Sequence, residues 1–360
     1  MRPGLRRLSA AASPIVGAGA TAIYGAIKSM QPDFSGFALV LCSEIFVNAE
    51  IANLPRKIPM SQAAELNRRF AIADILAFEQ SPDGFVVAQV TTRHASARIA
   101  LQGAHVMSYQ PAGQPPLIWL SKLAKLAPGK SIRGGVPVCW PWFGAHPSNA
   151  QFPGHGFART VPWQLIEATL LPDHRLHLEF ELVQSDATRA RWPQPSTLRN
   201  SVTVGPELEV ELATTNTGSV PFELGQALHT YFEIGDIRQT TITGLDACDY
   251  LDKVDGGTRK TQHGAVDFSG ETDRIYLATH GHCEIHDPLL KRRILVTSTG
   301  SHSTVVWSPW TEKADKMGDF CPEGWTSMVC VETANAAEDV IQLAPGATHR
   351  MTAQYRSIGL

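Results

Sequence analysis

The chain has 360 residues, of which 43% are hydrophobic and 18% charged, as is usual for a soluble globular protein with a sizeable core. A formal charge of −3 leaves no overall basic surface for a nucleic-acid backbone or an anionic membrane, so we expect neither as a partner. The cysteines form no C-x-x-C pair, which favours a reducing compartment, and we expect a cytoplasmic protein. They are Cys42, Cys139, Cys248, Cys283, Cys321 and Cys330.

The first 59 residues differ in character from the rest. Residues 1–32 contain three arginines and no acidic residue, a composition also found in organelle transit peptides. The apolar run over 15–27 is interrupted by glycines and is too short to span a membrane. Met60 offers a second translation start. We therefore expect residues 1–59 to be a dispensable extension, disordered or upstream of the true start, and residues 60–360 to form one domain.

The next segment predicts a helix over 61–78, with Ser61 as its N-cap. Its apolar residues recur at roughly helical spacing, at Leu66, Phe70, Ile72, Ile75 and Leu76.

Beyond this helix the hydrophobic period changes to two. Leu176–Leu182 alternates apolar and polar residues, and Leu208–Leu212 repeats the pattern, which predicts half-buried strands. Similar short runs lie at Val86–Val90, Ala97–Leu101, Arg293–Val296, Thr304–Trp307 and Met351–Tyr355. Turn signals separate the runs at Gly205-Pro206, Asp255-Gly256-Gly257 and Ala344-Pro345-Gly346. Many short strands with few helices predict an all-β sandwich. The sequence contains neither a phosphate-binding P-loop nor a dinucleotide-binding glycine fingerprint.

A segment rich in glycine, proline and tryptophan covers residues 131–144 and continues over 153–159. Prolines fix φ, glycines permit close backbone approach, and aromatic rings give flat apolar faces suited to stacking on a sugar ring. Arg133 and Arg159 lie in this apolar setting, where a charge needs a partner. A ligand anion such as a phosphate is a natural one, since a guanidinium can bind it through two hydrogen bonds.

Two further segments each set one ionisable group among apolar residues. His229 follows Leu224–Leu228, and its solution pKa near 6.5 suits proton exchange at neutral pH. Glu332 lies in a Val-Cys-Val-Glu run typical of a strand, where desolvation raises a carboxyl pKa towards the range of a general base. Either residue alone could be structural, but together they form a candidate acid–base pair.

Four ordered motifs together resemble the hexose-6-phosphate mutarotase (glucose-6-phosphate 1-epimerase) branch of the aldose 1-epimerase superfamily. They are Arg133-Gly134-Gly135-Val136-Pro137-Val138-Cys139-Trp140-Pro141-Trp142-Phe143-Gly144, His155-Gly156-Phe157-Ala158-Arg159, His229-Thr230-Tyr231-Phe232 and Val331-Glu332. The likeness runs from about residue 75 to the C-terminus. It implies a galactose mutarotase-like β-sandwich, or supersandwich, and interconversion of the α and β anomers of a hexose 6-phosphate without a cofactor or metal. The Thr333-Ala334-Asn335 run departs from the Pro-Gly that follows the base in many relatives.

The resemblance also implies a role for each matching residue. His229 matches the general acid and Glu332 the general base. Arg133 and Arg159 match phosphate-binding arginines, while His155 and Asp273 match residues that hold sugar hydroxyls. We expect a small sugar phosphate as the partner and a monomeric protein.

Other interpretations remain open. A mutarotase for unphosphorylated sugars would use Arg133 and Arg159 as ion-pair partners for protein carboxylates. A non-catalytic carbohydrate-binding sandwich would need no proton donor opposite an acceptor, and a glycoside hydrolase would need two carboxylates where the motifs supply one. The His280-x-His282-Cys283-x-x-His286 run superficially suggests a metal site, but no further ligands follow at zinc-like spacing. The segment 307–317 predicts a strand end and a rim loop whose tryptophans line the pocket.

Overall fold

A computed structural model describes residues 60–360. The prediction for residues 1–59 lies outside this range. Within it, no helix is long and apolar enough to cross a lipid bilayer.

The first helix is shorter than the sequence predicts. Helix α1 covers Gln62–Phe70, and the Ser61 hydroxyl accepts a hydrogen bond from the Ala64 amide (3.2 Å), as expected of an N-cap. Residues 76–80 instead form a strand with alternating burial at its start. The Asn67 side chain explains the change, because it donates to and accepts from the backbone of Phe78 and ties the strand to the helix. The remaining α-helices are α2 (Asp186–Arg191) and α3 (Trp310–Lys316).

Strands dominate the described residues. In chain order they are β1 (Leu76–Gln80), β2 (Val86–Thr91), β3 (Ala95–Ala100), β4 (His105–Pro111), β5 (Val138–Cys139), β6 (Trp163–Leu170), β7 (Leu176–Leu182), β8 (Ser196–Val204), β9 (Leu208–Asn216), β10 (Phe222–Leu224), β11 (Gln226–Leu228), β12 (Tyr231–Glu233), β13 (Thr241–Thr243), β14 (Asp249–Asp252), β15 (Thr258–Thr261), β16 (Thr272–Tyr276), β17 (His282–Asp287), β18 (Arg292–Thr299), β19 (Ser303–Ser308), β20 (Met328–Asn335), β21 (Ile341–Leu343) and β22 (Thr348–Gly359).

Two eight-stranded antiparallel sheets form most of the domain. One has the order β15-β14-β16-β19-β20-β11-β5, with β12 also pairing with β20. The other has the order β13-β17-β18-β22-β9-β8-β7-β6. Strands β1–β4 form a third sheet, and buried side chains from all three belong to one continuous hydrophobic core. This architecture confirms the predicted all-β sandwich.

The strand predictions agree with the structure in detail. In β7 every second residue is buried, from Leu176 to Leu182, as the alternation predicts. The other six predicted runs coincide with β2, β3, β9, β18, β19 and β22, apart from one residue at the end of β3. Each of the three turn signals lies between two strands.

Candidate active site

The register of β11, β12 and β20 brings the two ionisable candidates together. Leu228 pairs with Thr333, and Tyr231 pairs with Cys330, so the intervening His229 lies across from Glu332. On the other side of β11, the His229 amide donates to the Pro137 carbonyl (3.0 Å), which continues the pairing with β5 beyond Leu228. The result places His229 Nδ1 3.2 Å from Glu332 Oε1.

The neighbouring strands add a second row to the same face of the sheet. Asp273 on β16 pairs with Trp307 on β19, which pairs with Cys330 on β20, which pairs with Tyr231. Because side chains alternate along a strand, this row lies two residues from the His229–Glu332 row and points to the same side. The Tyr231 ring stacks on the His229 imidazole, with centroids 4.9 Å apart and an interplanar angle of 7°.

Arg133 reaches the site on a segment fixed by glycine. The carbonyl of Gly135 accepts a hydrogen bond from the Tyr231 amide (3.0 Å), so the segment runs beside β12. Gly135 has φ +74°, and a Cβ there would overlap the His105 imidazole and the Val106 carbonyl. Only glycine fits such a close approach without displacing its neighbours.

His155 and Arg159 lie on a second loop held against the first. The His155 amide donates to the Gly144 carbonyl (2.6 Å), and the Phe157 amide donates to the Trp140 carbonyl (3.0 Å). These backbone contacts position the His155 ring 5.8 Å from the His229 ring.

One cavity of about 700 Å³ collects all of these groups. It is lined by all six residues singled out from the sequence, namely Arg133, His155, Arg159, His229, Asp273 and Glu332. Although 199 positions separate the first from the last of them, the fold brings them into one site.

The two arginines have different partners. Arg133 forms an ion pair with Asp319 (Nε to Oδ1, 3.1 Å) and donates from Nη1 to the Tyr231 hydroxyl (3.0 Å). Arg159 donates to the Gly154 carbonyl (2.9 Å) and pairs with no carboxylate among residues 60–360. The counter-ion of Arg133 is therefore a protein carboxylate, whereas the sequence pointed to a ligand anion as its natural partner.

Burial shifts both ionisable groups towards their neutral forms. The Glu332 side chain is 1% exposed, and desolvation, reinforced by the charge of Asp273, raises its pKa well above the usual range. His229 is 12% exposed, and desolvation lowers its pKa well below 6.5, with the charges of His155, Arg159 and Arg133 acting in the same direction. Within the described residues, neither His229 Nδ1 nor Glu332 Oε2 has a hydrogen-bond partner. Burial alone therefore favours a neutral carboxyl group beside a neutral imidazole.

The proposed sugar-contacting residues are perturbed in the same way. Desolvation lowers the pKa of His155 to about 4, so its imidazole is neutral at physiological pH. Desolvation also raises the pKa of Asp273, against the opposing charge of Lys313, whose Nζ lies 3.7 Å from Oδ2.

Several cavity residues escaped sequence reasoning. Lys253 follows β14, and its amide donates to the Asp273 carbonyl (2.8 Å). Lys313 projects from α3, and Asp319 follows that helix. No local motif marks these residues, because they reach the cavity through strand order and a rim helix. Asp319 adds a third carboxyl group to the cavity beside the expected Asp273 and Glu332.

The tryptophan prediction is half correct. Trp307 lines the cavity from β19. Trp310 begins α3 instead and packs on Trp325, with ring centroids 4.7 Å apart.

Potential metal ligands occur in two places. His229, Cys330 and Glu332 each present a ligand atom, all within 4.8 Å of one another, although burial raises the pKa of the Cys330 thiol and so disfavours the thiolate that a metal needs. On β17, His282 and His286 flank Glu284 at 3.6 and 3.8 Å, while Cys283 is buried on the opposite face. The absence of a metal stays a prediction.

Comparison with known proteins places the chain among sugar-converting enzymes. The "Aldose 1-epimerase" family model matches residues 87–356. A protein of Escherichia coli K12 named "Putative glucose-6-phosphate 1-epimerase" is 41% identical over 248 residues, which cover 67% of this chain and 80% of that one. A protein of the same name from Salmonella typhimurium is 40% identical over 242 residues, with the same coverage. A crystal structure of a "putative mutarotase" from Salmonella typhimurium superposes with a TM-score of 0.75 and 34% identity, covering 81% of this chain and 96% of the other.

Proposed function

The chain belongs to the aldose 1-epimerase family, and from this membership we propose that it interconverts the α and β anomers of a hexose 6-phosphate such as glucose 6-phosphate. The observation that carries the proposal is the His229–Glu332 pair, 3.2 Å apart, on the floor of a cavity that also contains Arg133 and Arg159. The family and the mutarotase fold agree with the resemblance carried by the four sequence motifs.

The chemistry needs two coordinated proton transfers and no redox step. To open the cyclic hemiacetal, Glu332 removes the proton of the C1 hydroxyl while His229 protonates the ring oxygen. The C1–C2 bond of the open aldehyde then rotates. Reclosure on the other carbonyl face returns the first proton from Glu332 and the second to His229. Since both groups regain their starting state, each turnover leaves the protein unchanged.

The rest of the cavity would position the sugar. Trp307 gives a flat apolar surface, and His155 and Asp273 supply hydrogen-bonding groups for hydroxyls. Arg159 offers the guanidinium with no carboxylate partner among the described residues, so we assign it as the primary phosphate ligand, with Arg133 beside it. Binding energy at C6 would orient C1 without blocking its rotation.

One observation favours a second candidate, a mutarotase for unphosphorylated sugars. The ion pair between Arg133 and Asp319 is the arrangement expected if that arginine serves a protein carboxylate. Against this candidate, Arg159 has no carboxylate partner in residues 60–360. With Lys253 and Lys313 the cavity is lined by four cationic side chains against three carboxyl groups. A phosphorylated sugar accounts for this excess of positive charge better than a neutral one does.

Anomer exchange measured by NMR on equilibrated sugars tests the proposal. We expect the protein to accelerate exchange of glucose 6-phosphate far more than exchange of glucose. Equal acceleration of both sugars would support the second candidate. Binding of the sugar phosphate without acceleration would make the protein a carbohydrate-binding sandwich and reject the proposal.

A further inference from the structure

The protonation states that burial favours for Glu332 and His229 do not match the roles proposed for these two groups. Ring opening needs an ionised Glu332 and a protonated His229. Desolvation favours the reverse, because it raises the pKa of Glu332 and lowers that of His229. Some feature of the occupied site must therefore favour charge separation between the two groups.

The surroundings of His229 identify that feature. The charges that oppose its protonation come from His155 and Arg159, which share one loop, and from Arg133 on the adjacent segment. Since the pKa of His155 is lowered to about 4, the two arginines are the charges that persist at physiological pH. Arg133 is also linked to the imidazole through Tyr231, because it donates to the Tyr231 hydroxyl and the Tyr231 ring stacks on His229. Other titratable groups near the imidazole are Glu332 and Cys330 on β20 and His155 on the facing loop, with Asp273 beyond Glu332.

We propose that the phosphate group of the substrate activates the catalytic acid as well as anchoring the sugar: by neutralising Arg159 and Arg133 it stabilises the imidazolium of His229 next to the carboxylate of Glu332. This inference rests on the proposed function, because it takes the phosphate site from it. Arg159 carries the larger part, since Asp319 already balances the charge of Arg133.

The position of the phosphate would favour an imidazolium at His229 beside a carboxylate at Glu332. Arg133 is linked to His229 through the stacked Tyr231 ring, whereas within residues 60–360 neither arginine forms a hydrogen bond or ion pair with Glu332. The charge of Asp273 further disfavours the Glu332 carboxylate, against that of Arg159. A phosphate between the arginines is thus better placed to stabilise positive charge on the imidazole than to oppose negative charge on the carboxylate. An unphosphorylated sugar fills the same cavity but leaves His229 neutral, so it would turn over slowly even when saturating.

The test is a pH titration of histidine ring nitrogens by NMR on the full chain, with His229 assigned from the spectrum of His229→Gln. The probe is inorganic sulfate, which stays a dianion across the acidic range and cannot react, compared with chloride at equal ionic strength. We expect sulfate to raise the measured pKa of His229 by about 1. Because a rise of 1 makes the imidazolium about tenfold more abundant, sulfate should also accelerate glucose exchange up to about tenfold.

Two variants identify the cause. Arg159→Gln should raise the pKa of His229 in the empty protein and abolish the response to sulfate. Arg199→Gln is the control, because it removes a cation that pairs with Glu179 and Glu181 on another sheet. In this variant the pKa of His229 and its rise in sulfate should both stay as in the wild type. An unchanged His229 pKa in saturating sulfate, or a response that survives in Arg159→Gln, would overturn the inference.

Failure of this inference can be told from failure of the proposed function. Rapid glucose 6-phosphate exchange with no response of His229 to sulfate would reject activation and keep the mutarotase. A sulfate-induced rise in a protein without exchange activity would keep the electrostatic coupling and reject the mutarotase.

Discussion

His229 and Glu332 lie across from each other on neighbouring antiparallel strands, with Nδ1 of the imidazole 3.2 Å from Oε1 of the carboxyl group. Both side chains are buried on the cavity floor, and the carboxyl group has no alternative hydrogen-bond donor at Oε2 among the described residues. The strand register thus fixes the distance between the two groups that we propose as the acid and the base.

Shortening the carboxylate by one methylene tests how strictly this distance matters. Glu332→Asp keeps the acid but withdraws it from the imidazole and from the sugar. Because positioning of a proton-transfer group affects the transition state more than substrate binding, we expect kcat to fall about 10–100-fold with little change in KM. Steady-state anomer exchange at several sugar concentrations measures both. A rise in KM with unchanged kcat would assign Glu332 to binding alone.

Removing Arg133, the arginine that pairs with Asp319, should weaken binding of glucose 6-phosphate more than binding of glucose. Arg133→Ala deletes a charged hydrogen-bond donor worth about 1.5–3 kcal/mol, so glucose 6-phosphate should bind about 10–150-fold more weakly. Glucose, which has no phosphate, should lose little affinity. Calorimetry on both sugars gives the comparison, and equal losses would refute the phosphate role.

Asp319 competes with the substrate phosphate for Arg133 in this account. Asp319→Asn removes the charge from that carboxyl group while keeping its size, so KM for glucose 6-phosphate should fall and KM for glucose should stay unchanged. The neighbouring Asp315, which forms no ion pair among the described residues, gives a matched control in Asp315→Asn. A higher KM in Asp319→Asn would instead mean that the carboxylate holds Arg133 in its binding position.

The close approach at Gly135 predicts a sharp loss of stability. Gly135→Ala would force a methyl group into His105 and the Val106 carbonyl, in addition to the strain of φ +74°. Gly113→Ala has nearly the same φ, +72°, and no atom within 4 Å of the new Cβ. We expect the control to lose about 1 kcal/mol and Gly135→Ala several times more, as measured by urea unfolding. Equal losses would show that the overlap is relieved at no cost.

Acid should destabilise the fold through His105. This residue is fully buried, its Nε2 lies 2.9 Å from the Gly134 carbonyl, and burial lowers its pKa to about 4. Since the unfolded chain binds a proton near pH 6.5 and the folded one only near pH 4, this contribution to stability is complete above pH 6.5 and is lost as pH falls to 4. It amounts to about 3 kcal/mol. Urea midpoints across this range should fall with pH, and less steeply in His105→Gln. Parallel curves for both proteins would exclude His105 as the cause.

The sequence predicts the sandwich and the six cavity residues, because alternation and motifs are local features. The burial of every second residue in β7 follows directly from the alternation of apolar and polar residues in its sequence. The sequence does not predict those features of the fold and the cavity that depend on contacts between residues distant in the chain. The Asn67 side chain converts the end of an expected helix into β1, and nothing in the sequence indicates that Asp319 returns to Arg133 across 186 positions. The pairing of His229 with Glu332 likewise depends on strand register, which one sequence alone does not specify.

The central claim is that His229 and Glu332 transfer protons between the anomers of a sugar phosphate. Its most direct test is NMR exchange between α- and β-glucose 6-phosphate with the wild type, His229→Ala and Glu332→Gln. The account predicts rapid exchange in the wild type and a loss of about 10²–10⁴-fold in each variant, with substrate still bound. Wild-type exchange no faster than in buffer, or variants that keep full activity, would contradict it.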